Sequence, residues 1–169
     1  DYPAVSLAGH LIGGGFLSSR LATRIRDQEG LSYGVGGGFG ASSLDEIASF
    51  QAYAMFAPEN RGRLVEVLFE ELNRVVDEGF DAEEVEAGRR GYLQQREIQR
   101  SNDGSLAGMI NSNLYLDRDM FHQARFEEAL SALSAEEVNA AVRRHFDPER
   151  ITTAIAGDFE DPSEQTSPQ

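Results

Sequence analysis

The sequence predicts an α+β fold in which helices pack on one face of a largely antiparallel sheet. Two observations carry this. First, the apolar period changes from four to two around Gly30, so that a helix hands over directly to a strand. Second, the two strand-like stretches after Gly30 are joined by a short turn, whereas the later apolar stripes recur at helical spacing.

Taken in order, Asp1 is placed to cap a first helix, with Pro3 in its first turn and Val5, Leu7, Ala8, Leu11 and Ile12 along it, until Gly13, Gly14 and Gly15 break it. The glycine triplet also reads as a joint between rigid parts. Leu17, Leu21 and Ile25, with Arg20 and Arg24 between them, form a second helix. Gly30 ends it, because a left-handed cap carries no steric cost for glycine. From Leu31 the residues alternate: Leu31, Tyr33, Val35 and Phe39 share one face, while Ser32, Gly34, Gly36, Gly38 and Gly40 share the other. Glycines weaken a strand, so the bare face implies close approach by a helix, another backbone or an extended ligand.

A turn at Ser42 to Asp45 leads into a second strand from Ile47 to Phe56, antiparallel to the first. Pro58 opens a long helix whose buried face is Leu64, Val67, Leu68, Leu72, Val75 and Val76, with Gly79 as its stop. Asp81 and Glu84 have the spacing of a capping box for the next helix, which runs to about Arg100. Asp103 caps a helix bearing Leu106, Met109, Ile110 and Leu114, and a further one covers Phe121 to Leu130. Ser134 with Glu137 caps the last helix, whose buried stripe is Val138, Ala141, Val142 and Phe146. Ile151 to Ala156 reads as a closing strand. One domain is expected over residues 1–158, followed by a polar, disordered tail at 159–169. Three strands make a thin sheet for so many helices, and one or two more before Asp1 would complete it.

Composition narrows the function classes. There are 15 basic residues, all arginine, against 29 acidic ones, for a net charge of −14. Such a field repels nucleic acid and anionic membranes, so neither is expected as a partner. No apolar run reaches the roughly 20 residues a membrane span needs. With no cysteine, disulfides, thiol nucleophiles and thiolate metal sites are excluded. The compartment stays open between cytoplasm and periplasm. The glycine cluster is not a nucleotide loop: a phosphate loop needs a helix directly after it and a lysine, and the chain has no lysine. The acidic clusters at Glu83, Glu84 and Glu86 and at Glu127 and Glu128 read as solvated helix faces.

The stretch LIGGGFLSSRLATRIRDQEGLSYGVGGGF resembles the non-catalytic domain of the pitrilysin/insulinase family of zinc metallopeptidases. The family pattern LGGGxxSRLxxxIRxxxGLxY is met at Ile12 to Phe16, Ser19 to Leu21, Ile25 to Arg26 and Gly30 to Tyr33, and weaker likeness continues to about Asp158. The resemblance implies half of a closed chamber. One half carries zinc on HxxEH, in which two histidines bind the metal and the glutamate activates water. This chain lacks HxxEH, and its three histidines, His10, His122 and His145, have no second histidine four residues away. No metal is therefore expected in this chain. Zinc is expected in a partner catalytic domain, on the same chain or on a separate subunit, and a homodimer is a further option.

By the same resemblance, Arg26 and Tyr33, seven residues apart, reach toward the partner's site and contact the peptide substrate. A guanidinium is a rigid fork of donors for peptide carbonyls, and a phenol can donate to an oxyanion. Gly34, Gly36 and Gly38 are expected to bind substrate through the bare strand. On the residues alone, Arg26 at a helix end and Tyr33 in a strand core remain open alternatives. The expected activity is zinc-dependent endopeptidase action by the complete enzyme, with this chain inactive by itself. A structural subunit sharing the fold without proteolysis is the competing function, and a peptide-binding module that acts alone is a third.

Overall fold

A computed structural model describes residues 1–15 and 18–159. Helix α1 (Tyr2–Gly9) continues into a π-helical turn (His10–Gly14), and a second π-helical segment spans Ala22–Gln28. The hairpin β1 (Gly34–Ala41) and β2 (Ala48–Met55) follows. Then come α2 (Arg61–Asp77), α3 (Ala82–Arg100), α4 (Asp103–Tyr115), α5 (His122–Ala132) and α6 (Ala135–His145). Phe16, Leu17 and residues 160–169 lie outside the described residues, so the tail expected at 159–169 is described only at Phe159. That ring stacks on Phe56 and lies under the Arg61 guanidinium.

The hairpin is antiparallel, with Val35 opposite Ala54, Gly37 opposite Ala52 and Phe39 opposite Phe50 on its inner face. Those side chains pack on a core that includes Leu7, Ile12, Leu21, Ile25, Val67 and Val142. This is the α+β arrangement expected, with helices on one side of the sheet. Phe39, Phe50 and Phe146 form an aromatic cluster with centroids 4.7 to 5.4 Å apart.

The first helix ends within the glycine triplet, after Gly14, as expected, but not as a simple break. The helix widens before it ends, and Gly15 N–H donates to the His10 carbonyl at 2.7 Å, five residues back. Gly13 faces the strand: a Cβ there would sit 2.4 Å from Gly37 N. The absent side chains let a helix backbone rest on a strand backbone.

Several end signals hold. Gly30 (φ +66°) and Gly79 (φ +74°) are left-handed stops, and Ser134 with Glu137 forms a full capping box. Others are corrected. Asp81 accepts from Glu84 N–H at 2.8 Å, but the Glu84 carboxylate is held by Arg20 instead of closing the box. Asn102, not Asp103, caps α4. Asp1 precedes α1 without capping it, because its carboxylate bonds to Arg144 and His145.

The closing strand at Ile151 to Ala156 is also corrected. The segment pairs with no strand, and the described sheet has two strands, not three. β-branched residues alone do not make a strand without a partner for its backbone groups.

Candidate functional site at the helix–strand junction

The junction between the second π-helical segment and β1 carries Arg26 and Tyr33. Ile25 is fully buried and anchors the helix, and Leu31 N–H closes the turn on the Ile25 carbonyl at 2.9 Å. Ser32 is buried and donates to the Met55 carbonyl at 2.5 Å, which ties the entry of β1 to the end of β2. Ladder pairing begins only at Gly34. Tyr33 thus falls one residue short of the sheet, and at 95% exposure it is not the strand-core residue its parity allows.

Arg26 lies in the last turn of its helix. Its Nε donates to Asp27 Oδ1 at 2.8 Å and its Nη2 to Asp27 Oδ2 at 3.1 Å. The bonds from Arg26 hold the Asp27 carboxyl below its ordinary range, and the same bonds raise Arg26. On the opposite side of the junction, Glu29 bridges Arg24 at 2.7 Å and Arg63 at 2.6 Å. Hydrogen bonding from Arg63, reinforced by the charge of Arg24, depresses the Glu29 carboxyl. This bridge fastens the helix end to α2. The sequence pattern singled out neither Asp27 nor Glu29; the readable signal was two carboxylates near the negative end of a helix, where they require cationic partners.

The outer face of the hairpin pairs Gly34 with Met55, Gly36 with Tyr53, Gly38 with Gln51 and Gly40 with Ser49. The glycines are not equivalent. A Cβ at Gly34 would meet Met55 Cε at 2.2 Å, and one at Gly36 would meet the Tyr53 ring at 3.0 Å. Both contacts are with the ends of exposed side chains on the neighbouring strand. At Gly38 the nearest atom would be 3.9 Å away, and at Gly40 nothing lies within 4 Å. Gly36, Gly38 and Gly40, with Gly13, Gly14 and Gln95, help to line an open trough of about 690 Å³.

The three histidines stand on separate elements. His10 stacks on Tyr92 at 4.8 Å, and burial lowers its pKa. His122 begins α5, and His145 bonds to Asp1 at 2.8 Å. Among the described residues, no group of three or more His, Cys, Asp or Glu side chains is placed to hold a metal. No helix among them is long and apolar enough to cross a membrane.

Residues 1–92 match the family model for the peptidase M16 inactive domain. The chain belongs to the M16 inactive-domain family. Its fold is that of an M16 inactive domain from Pseudomonas fluorescens, with a TM-score of 0.76 and 21% identity over 89% of this chain and 35% of that one. A protease from Helicobacter pylori superposes with a TM-score of 0.73 at 16% identity, covering 86% of this chain and 35% of that one. A curated relative, the non-peptidase homolog YmxG of Helicobacter pylori, is 23% identical over 146 residues, which is 86% of this chain and 33% of the relative. This M16 inactive domain thus spans about a third of the length of that relative.

Proposed function

We propose that this M16 inactive domain is the zinc-free half of a metalloendopeptidase, holding extended peptide against a partner domain that bears HxxEH. The observation that carries the reading is the exposure of Tyr33 directly before β1, seven residues after Arg26. A phenol fully in solvent contributes little to the fold, and its hydroxyl is available to donate to an oxyanion on an attacked carbonyl. Arg26 supplies donors for the peptide backbone. The open trough lined by Gly36 and Gly38 extends the surface for a peptide backbone, and Gly34 continues the bare face of β1 beside the Met55 side chain. The catalytic domain, on this chain or another, supplies the metal; a second copy of this chain is an alternative partner.

The test is cleavage of a quenched fluorescent peptide library by the full-length protein with its partner domain, with and without a zinc chelator. Chelation should abolish activity, and Tyr33→Phe should lower kcat more than it raises KM. Unchanged kcat in Tyr33→Phe removes the tyrosine from the reaction. A second reading, a non-proteolytic structural subunit, is favoured by the likeness to a non-peptidase homolog, and full-length protein that stays silent toward every peptide would support it.

A further inference from the structure

The turn between α4 and α5 gathers large apolar side chains that nothing among the described residues covers. Leu114 and Tyr115 end α4 at 76% and 77% exposure, and Met120 and Phe121 lead into α5 at 56% and 70%. Ile110, one helical turn before Leu114, is 37% exposed. The turn itself is tightly built. Arg118 N–H donates to the Asn113 carbonyl at 2.8 Å and His122 N–H to the Asp119 carbonyl at 3.2 Å, while Arg125 grips Asp119 through two bonds of 2.8 and 3.0 Å. Asp117 reverses the chain in the left-handed region, at φ +51°. The apolar side chains are thus held in water at one corner of the fold. At about 200 Å² for a large side chain, their exposed fractions leave on the order of 600 Å² of apolar surface. A contiguous patch of that size marks an interaction surface, whereas scattered single side chains do not.

We propose that this corner docks a second copy of this chain about a two-fold axis. Charge selects that partner. The chain carries −14 overall, so two copies repel and meet best where their own charges cancel. They cancel here: between Gly104 and Phe126 the charged residues are Asp117 and Asp119 against Arg118 and Arg125. A strongly basic partner would gain nothing from such a face. Asp119 is taken up by Arg125, which leaves Asp117 and Arg118 side by side at the rim. About a two-fold axis, Asp117 of one copy can face Arg118 of the other and the reverse, so this pair of residues is complementary to itself. The area agrees as well. A standard interface buries about 800 Å² per partner, and about two thirds of a homodimer interface is apolar, close to what the corner exposes. This surface involves neither Arg26 nor Tyr33.

The experiment is sedimentation velocity of the full-length protein over a range of concentrations. The parent should dimerise at micromolar concentration. Leu114→Asp and Phe121→Asp, both at exposed positions, should keep the far-UV circular dichroism of the parent and raise the dimer Kd about tenfold or more, as loss of a central apolar anchor does. Arg118→Asp, which sets acid against acid, should raise Kd about threefold to tenfold, and adding Asp117→Arg should restore it. Such rescue arises only when both faces carry the swap, so it separates a second copy from any other occupant. Failure of the rescue overturns the two-fold arrangement. A parent that stays monomeric at about 100 μM overturns the proposal, and another domain of the same polypeptide covering the corner would show itself in that way. A dimer whose Kd neither apolar substitution moves overturns it too, by placing the interface elsewhere.

Discussion

Replacing Gly13 by alanine tests how the helix that precedes the junction is seated. The new Cβ would stand 2.4 Å from Gly37 N and 2.8 Å from Gly37 Cα, about 1 Å inside the ordinary contact range that begins at 3.4 Å. Both obstacles are backbone, so no side chain can rotate away, and either the helix or β1 must retreat. Overpacking of this kind costs about 1–3 kcal/mol, and two facing backbones place it near the upper end. Alanine returns about 1 kcal/mol through its better helical propensity, leaving a net loss of about 2 kcal/mol. With a urea slope of about 2 kcal/mol per molar, the unfolding midpoint should fall by about 1 M. Gly108→Ala is the control, because it lies within α4 with nothing inside 4 Å of the added carbon; its midpoint should hold or rise. Were Gly13→Ala as stable as the parent, the close seating of helix on strand would be refuted.

Asn139 closes a ring with Phe80, accepting from its N–H and donating to its carbonyl, each at 2.8 Å. Asn139→Leu orphans both groups beside a buried ring, and calorimetry should record a loss of about 3 kcal/mol; a loss below about 1 kcal/mol would show that water replaces the ring. Burial lowers the His10 pKa from its ordinary value of 6.5. The unfolded chain therefore binds the proton more readily, and the contribution of neutral His10 is present above that value and lost as pH falls from it toward the folded pKa. His10→Phe keeps a ring against Tyr92 and should flatten this limb in denaturation series between about pH 5 and 7; an identical slope in both proteins would assign the limb to other groups.

The readable parts of the fold were those written in local chemistry. Gly30 and Gly79 declared left-handed stops, Ser134 with Glu137 declared a cap, and the stripe through Leu64, Val67 and Leu72 declared a buried face, each needing only its own neighbours. What depended on distant partners was not readable. Ile151 to Ala156 is rich in β-branched residues like a strand but pairs with none, and Glu84 left its expected box because Arg20 arrives from 64 residues away. At the site, the motif located Arg26 and Tyr33. Period-two parity grouped Tyr33 with Leu31 and Val35, yet the ladder starts at Gly34 and leaves it in solvent. The three glycines expected to meet peptide face Met55, Tyr53 and Gln51 across the hairpin, pairings that only the cross-strand register could reveal.

The wide turns of Ala22–Gln28 carry a consequence for how Arg26 is aimed. A π turn holds one residue more than an α turn for the same advance, so it acts as a counted surplus in the chain. Removing that residue would let the helix tighten and would swing every later side chain about 100° around the axis. The direction in which Arg26 and Asp27 face is therefore set by residue count upstream of them, and a single-residue deletion there would re-aim the pair while leaving its composition untouched.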